Sequence, residues 1–465
     1  MHGGTTSDAV FRTVSFVDTV VGDGVRYRWE AVAQGSGVPH AAPPSFNQQN
    51  HLRVWRAQRA HGRVGLRWHA LELSVPGPVD NAAMCRALTG FVRRHETLRS
   101  QFVERGDVVS RRVFPADAVT VRPAEVPLDH PDDAKAWLRS IFDASANPWS
   151  WPAYAFAAIA TAESTTLYVG FDQTNIDLYS VLVAARDLQE MYEAEVVGRS
   201  PRLPAVGSFL DACAMERSTW DGSADLRDAV AHWRPFVEAT PRFPMDLGVA
   251  SGPVALVQHE SLLGAEALVA RFEKWCRAQH ADVMSGFLAA MAVAVRDLTG
   301  QRVYRTVVPV QTRVRVEWQW ALGWFVNAAP ITVPVGDHAD FAATVRATHA
   351  SVYAAVLHSA VPFGRVAEEL AVQKDETRRD LYSWLSYVDM RRFDRAGTPP
   401  WRARGLANST AVGDEVDFWV NRTAHGTYLV VRRPDTAAAA TNLARLTDRF
   451  CAVIETIAGG VEVDG

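Results

Sequence analysis

The stretch TTLYVGFDQTNIDLYSVLVAARDLQEMYEAEVVG, residues 165–198, changes its period in the middle. TTLYVGF (165–171) is β-branched and aromatic and reads as a strand, whereas SVLVAARDLQEMYEAEVVG (180–198) has helical spacing and stops on Gly198. The junction, FDQTNIDLYS (171–180), sets Asp172, Gln173, Asn175 and Asp177 where a packed sheet would prefer apolar residues. Polar side chains gathered at a strand end point either to chemistry or to a tightly tied turn.

The same alternation extends in both directions. Upstream, GLRWHALELSV (65–75) alternates as a strand, and DNAAMCRALTGFVRRHETLRSQF (80–102) follows as a helix. Its N-cap is Asp80 or Asn81, and Met84, Leu88, Phe91 and Val92 form one buried stripe. Downstream, GRSPRLPAVGSF (198–209) reads as a linker, followed by a helical section over 264–299 and a strand at 302–310. A helix over about 340–358, a strand at 427–433 and a closing helix complete the chain. Strands alternating with helices in both halves predict two α/β lobes, 1–200 carrying DQTNID and 201–465 carrying GWFVN.

A chain of 465 residues that is 48% apolar supports two substantial cores. A net charge of -4 gives no bulk attraction to nucleic acid or to an anionic membrane. The first residues lack a secretory pattern, and the longest nearly apolar run, VMSGFLAAMAVAV (283–295), is too short to span a bilayer. The expectation is a soluble, cytoplasmic protein. Cys85, Cys213, Cys276 and Cys451 are scattered without a CxxC pair, which predicts reduced thiols and no zinc site. GxSxG, GxxxxGK[ST] and HExxH are absent, and Gly22-Asp23-Gly24 meets Tyr27 where a dinucleotide fingerprint needs its third glycine. No bound cofactor or metal is expected.

FVRRHETLRSQF (91–102), FDQTNIDLYS (171–180) and GWFVNAAP (323–330) follow one another in that order. In this the chain resembles the condensation-domain superfamily of carrier-protein-dependent acyltransferases, whose members carry RHExLR, HHxxxDG and GxFVN segments. PPSFNQQNHLRVW (43–55) and DFWVNRTAHGTYLVVRRPDT (417–436) resemble in particular the standalone, polyketide-associated (PapA-like) members. The resemblance implies a pair of chloramphenicol-acetyltransferase-like lobes in a V-shaped pseudo-dimer with a central tunnel. Phosphopantetheine, delivered on an acyl or peptidyl carrier protein, would enter one side of that tunnel and a small acceptor the other.

Aligned on HHxxxDG, Asp177 takes the aspartate's place and Gln173 that of the second histidine, which family members use to position or deprotonate the acceptor. An amide side chain hydrogen-bonds but does not titrate near neutral pH. An uncharged amine attacks a thioester without prior deprotonation, so the residues favour amide formation, with an amino sugar of the lincosamide type as one acceptor the family allows. Ester formation as in PapA-like enzymes is the alternative. So is heterocyclization, since Asp172, Asp177 and Ser180 also fit DxxxxDxxS. A non-catalytic carrier-binding scaffold is a reading of another class.

Within this frame Asp172, Gln173 and Asp177 are the catalytic candidates. The resemblance pairs Asp177 with an arginine across the fold, here Arg313, in a structural role. Asp172 is either a base raised by burial or an ordinary turn residue. Asn175 caps or bonds the turn and Ser180 reads as an N-cap, and both, with Trp324, are also candidate substrate contacts; His95 and Arg99 are structural members of the RHETLR helix. Trp318, Trp320, Trp324 and Phe325 form either core or tunnel wall. Asn327, His358, Trp384 and Ser386 are candidate substrate contacts, His358 also as a replacement base. Arg26, Arg391 and Arg392 are candidate docking points for an acidic carrier.

Overall fold

In the computed structural model the described residues are 12–16, 19–60, 68–106, 108–126, 132–220, 223–239, 242–249, 254–336, 340–370, 383–391, 403–407 and 412–460. They form two compact units. The first contains the described residues up to Thr219 together with Arg313–Phe325 and the strand Ala403–Ala407. The second contains the intervening segments and the rest of the C-terminal part. Neither unit is one continuous stretch. The cut at residue 200 leaves helix Phe209–Thr219 on the wrong side of the first unit's boundary, and GWFVN itself is divided, with Gly323–Phe325 in the first unit and Val326 onward in the second.

The first unit is built on a seven-stranded sheet in the order Arg12–Ser15, Ala403–Ala407, Trp68–Pro76, Ser164–Asp172, Tyr154–Ala160, Val25–Ala33, Val119–Ala124. Arg12–Ser15 and Ala403–Ala407 are parallel, and the remaining pairs are antiparallel. A small sheet of Val38–His40, Val108–Val113 and Ser100–Arg105 adjoins it in sequence. Trp68, Trp137, Phe142, Tyr168 and Leu406 belong to one buried cluster. Strand Ser164–Asp172 is tightly covered: a Cβ on Gly170 would lie 2.4 Å from a ring carbon of Phe142. Glycine there lets helix Ala134–Ser145 reach the sheet.

The second unit has its own seven-stranded sheet, in the order Val326–Pro334, Val303–Gln311, Trp384–Asp389, Asp417–Arg422, Gly426–Pro434, Val254–Ala265, Val412–Gly413. Helices Glu266–Ala278, Val283–Thr299 and Ala437–Gly459 contribute to its core. The apolar run 283–295 is a helix buried nearly all round. Among the described residues no helix is long and apolar enough to cross a membrane.

Three sequence expectations change. The helix read over 80–102 ends at Arg94, and Ser100–Arg105 is a strand. The section 264–299 is two helices, Glu266–Ala278 and Val283–Thr299, separated by a turn in which His280 takes φ 59°. Neither glycine nor proline stands in the turn; its one local signal is Asp282, which caps the second helix through Ser285 N. The stretch 198–209 is not a loose linker: Arg94 donates to Pro204 O at 2.6 Å and Gly207 N to Glu317 O at 2.8 Å.

Candidate active site

Asp172 is the last residue of strand Ser164–Asp172, paired in register with Trp68, and its N–H donates to Ala153 O at 3.0 Å. The chain then makes one 3₁₀ turn, Gln173–Asn175, before helix Leu178–Val196. Asp172 Oδ1 accepts from Thr174 N at 2.9 Å and from Thr174 Oγ1 at 2.6 Å, so the carboxylate shapes its own turn. It does so with no solvent exposure, and its Oδ2 takes no hydrogen bond among the described residues.

The turn is also held from outside. Gln48, on helix Phe46–Ala60, donates from Nε2 to Thr174 O at 2.8 Å, and Thr97 Oγ1 donates to Asn175 Oδ1 at 3.0 Å. Gln48 is oriented in turn by the buried Arg111, whose Nη2 donates to Gln48 Oε1 at 2.8 Å. Asn175 thus joins the turn to the Glu96–Arg99 segment through its side chain. Gln173 is half-buried, and its Oε1 is enclosed without a hydrogen-bond donor among the described residues.

Asp177 anchors the other end. It is the N-cap of helix Leu178–Val196, accepting from Ser180 N at 2.7 Å, and Arg313 grips both of its oxygens, Nη1 to Oδ2 at 2.8 Å and Nη2 to Oδ1 at 3.1 Å. Phe325 N adds a bond to Oδ2 at 3.0 Å. The guanidinium carbon lies 4.5 Å from the Tyr179 ring centroid and 4.4 Å from that of Phe325. A buried carboxylate with a bidentate partner and two backbone donors is spent on holding the loop. Ser180 is not the cap, because Asp177 already occupies that position. Its Oγ accepts from Arg313 Nη2 at 2.7 Å and donates to Gly323 O at 2.9 Å. Gly323 is glycine for space: a Cβ there would meet Phe209 at 2.4 Å.

The RHETLR segment breaks where the sequence predicted continuous helix. His95 is extended, with φ -102° and ψ 102°, between helix Asn81–Arg94 and the short turn Glu96–Arg99. Its buried ring places Nε2 3.0 Å from Asp187 Oδ2, which also accepts from Arg94 Nε at 2.8 Å. Burial pushes the His95 imidazole below its ordinary pKa despite the aspartate. Burial pushes Asp187 up, but His95, Arg186 and Arg94 outweigh it and hold the carboxyl low. Arg99 donates to Arg93 O at 3.2 Å and Phe114 O at 2.6 Å. These are framework contacts.

Trp318 and Phe325 are buried with Phe209 and Cys213 in the first unit, which is core packing. Trp320 stacks under Arg186 at 3.8 Å, and Trp324 is half-buried. The remaining candidates belong to the second unit. Asn327 spends its amide there: Nδ2 donates to Ser359 O at 2.6 Å and Val361 O at 2.7 Å, and Oδ1 accepts from Phe363 N at 2.8 Å. Both amide N–H groups of Asn327 are thereby occupied. His358 packs against His232, ring centroids 4.9 Å apart. Burial, reinforced by His358, pushes His232 below its ordinary pKa. Trp384 and Ser386 lie on strand Trp384–Asp389. Arg391 is committed to Asp389 and Glu266, Arg26 donates to Asp132 O, and Arg392 lies outside the described residues.

One residue at this site was missed in the sequence. His51, on helix Phe46–Ala60, is only 4% exposed and places Nε2 3.7 Å from Asp172 Oδ1, with its ring edge-to-face against Trp324 at 6.0 Å. The available signal was the spacing of Phe46, Gln48, His51 and Leu52, a buried helical face with two polar members.

The Condensation domain family model matches residues 48–387, and the chain belongs to that family. It is an acyltransferase with the mixed α/β, two-lobed condensation-domain fold. It is similar to Acyltransferase PapA3 of Mycobacterium tuberculosis, 28% identical over 458 residues and covering 94% of each chain. Similarity to the 2'-acyl-2-O-sulfo-trehalose (hydroxy)phthioceranyltransferase PapA1 of Mycobacterium bovis is 30% over 333 residues, 70% of this chain and 64% of that one. The solved structure of a PapA2 acyl transferase superposes with a TM-score of 0.83 at 26% identity, over 97% of this chain and 100% of the other.

Proposed function

We propose that this protein transfers an acyl group from a thioester, carried on a carrier protein or coenzyme A, to a hydroxyl of a small polyhydroxylated acceptor, giving an ester. The observation that carries this reading is the end-to-end similarity to PapA acyltransferases, one of which is named for acylating a sulfated trehalose. The turn supports it, because Asp177, held by Arg313, caps the helix that follows the segment in which Gln173 aligns with the family's second histidine. Such a site works largely by orienting acceptor and thioester carbonyl. The enclosed Gln173 Oε1 is a ready hydrogen-bond acceptor for the incoming hydroxyl.

A second reading, amide formation on an amine, is favoured by one observation: Gln173 stands where the family has a titrating histidine. One experiment separates the two. Acyl-coenzyme A and acyl-loaded carrier proteins are incubated with the enzyme and either trehalose, sulfated trehalose or amino sugars, and products are read by mass and by lability to hydroxylamine. Hydroxylamine-labile products on the sugars are expected. Products that form only on amines and resist hydroxylamine would establish the amide reading instead, and carrier binding without transfer to any acceptor would establish the scaffold.

A further inference from the structure

We infer that His51 is the proton acceptor of this site, taking from another helix the part that Gln173 cannot play. The inference rests on the acyl-transfer reading and names a catalytic residue within it. Helix Phe46–Ala60 buries Phe46, Gln48, His51, Leu52 and Val54. A buried polar residue on such a face calls for a specific partner. Gln48 has Thr174, Ser45 and Arg111, all of which serve the geometry of the turn. His51 has Asp172, the residue that takes the place of the family's first histidine.

The separation of His51 Nε2 from Asp172 Oδ1, 3.7 Å, lies beyond a hydrogen bond and within ion-pair reach. Asp172 cannot swing away, because Thr174 holds the same oxygen through two hydrogen bonds. A fixed carboxylate beside an imidazole favours the imidazolium that forms when the ring accepts a proton, the logic of histidine–aspartate pairs generally. Trp324 packs edge-to-face against the ring, and both side chains are buried. Both come from the first unit, as do the turn and the latch that position them.

The step balances without any further reagent. The acceptor oxygen attacks the thioester carbonyl carbon while its proton passes to His51. The carbon–sulfur bond then breaks, and the imidazolium returns that proton to the departing sulfur, leaving an ester and a free thiol. With water as acceptor the same sequence hydrolyses the thioester, which gives a readout independent of the sugar.

The test compares wild type with His51→Gln, Asp172→Asn and the double variant His51→Gln/Gln173→His, following both acyl transfer and thioester hydrolysis. His51→Gln is expected to lower kcat by about 10²- to 10⁴-fold, with KM for the thioester little changed. The double variant, which returns a histidine to the family's position, is expected to regain part of that loss; a purely structural His51 predicts no regain. Wild-type kcat in a folded His51→Gln overturns the inference. If His51→Gln does not fold, Asp172→Asn decides: a folded variant with lowered kcat and little change in KM for the thioester is expected, and wild-type kcat in that variant overturns the inference. A wild type that hydrolyses the thioester through His51 but acylates no sugar refutes the acceptor reading and keeps the base. A wild type that does neither refutes both.

Discussion

Arg313 makes two hydrogen bonds to Asp177, one to Ser180 and one to Ala321 O, and it is almost fully buried. Removing it strands a buried carboxylate, so Arg313→Ala is expected to lose about 3–5 kcal/mol in urea denaturation. Arg313→Lys should fall between alanine and wild type, because an ammonium cannot bridge two carboxylate oxygens in the same plane. Equal stabilities for wild type and Arg313→Ala would show that the latch contributes nothing. At this scale the sequence was informative about Asp177 and uninformative about His51. The pairing of Asp177 with Arg313 was implied by the family resemblance, whereas His51, although it lies in the PapA-like segment 43–55, has no partner readable from its neighbours and meets Asp172 only through the path of the chain. Asn327 shows the converse: an amide inside a recognisable segment binds the backbone of Ser359, Val361 and Phe363, partners the segment itself does not indicate.

Helix Phe46–Ala60 carries both Gln48 and His51, so whatever fixes its N-terminus fixes the site. Phe46 N donates to Glu216 Oε1 at 2.7 Å, a carboxylate supplied by helix Phe209–Thr219. Acceptors at helix N-termini satisfy exposed backbone donors. Burial pushes the Glu216 carboxyl up from 4.5 to about 7, against the opposing pull of the Phe46 hydrogen bond and Arg217. Between those values the folded protein holds a proton that the unfolded chain has released. This contribution to stability is therefore full below pH 4.5 and is lost as pH rises to about 7. Glu216→Gln keeps an acceptor and removes the titration. Its melting temperature relative to wild type is expected to rise between pH 4.5 and 7 and to level off above. A constant difference over that range would show that Glu216 titrates normally. Secondary structure was legible where local period is strong, as in Ser164–Asp172 and Leu178–Val196. It failed at His95, where side-chain contacts turn the chain, and at His280, a left-handed non-glycine residue, although Asp282, the N-cap of the next helix, is a local signal there.

Across the whole molecule, the first sheet depends on residues from far downstream. Ala403–Ala407 lies between Arg12–Ser15 and Trp68–Pro76, with Arg404 opposite Glu72 and its Nε 2.9 Å from Glu72 Oε1. Burial pushes the Glu72 carboxyl up, against the pull of Arg404. Arg313–Phe325 supplies the same unit with the partner of Asp177 and the ring that packs on Phe209. A fragment of residues 1–219 is therefore expected to lack a cooperative melting transition and near-ultraviolet circular dichroism, while binding a hydrophobic dye. A native near-ultraviolet spectrum with a sharp transition would show that the downstream strands are dispensable.

Read by itself, the sequence determined the mixed α/β class, the order of the three family segments and the polar strand-to-helix junction. All of these are carried by side-chain period or by residues a few positions apart. The tertiary structure decided which groups serve that junction: Gln48 reaches Thr174 across 126 residues and Arg313 reaches Asp177 across 136. It also brought His51 to Asp172 and wove late segments into the first unit. Hydrogen bonds and ion pairs depend on distance in space, and over such sequence separations only the folded path of the chain sets that distance.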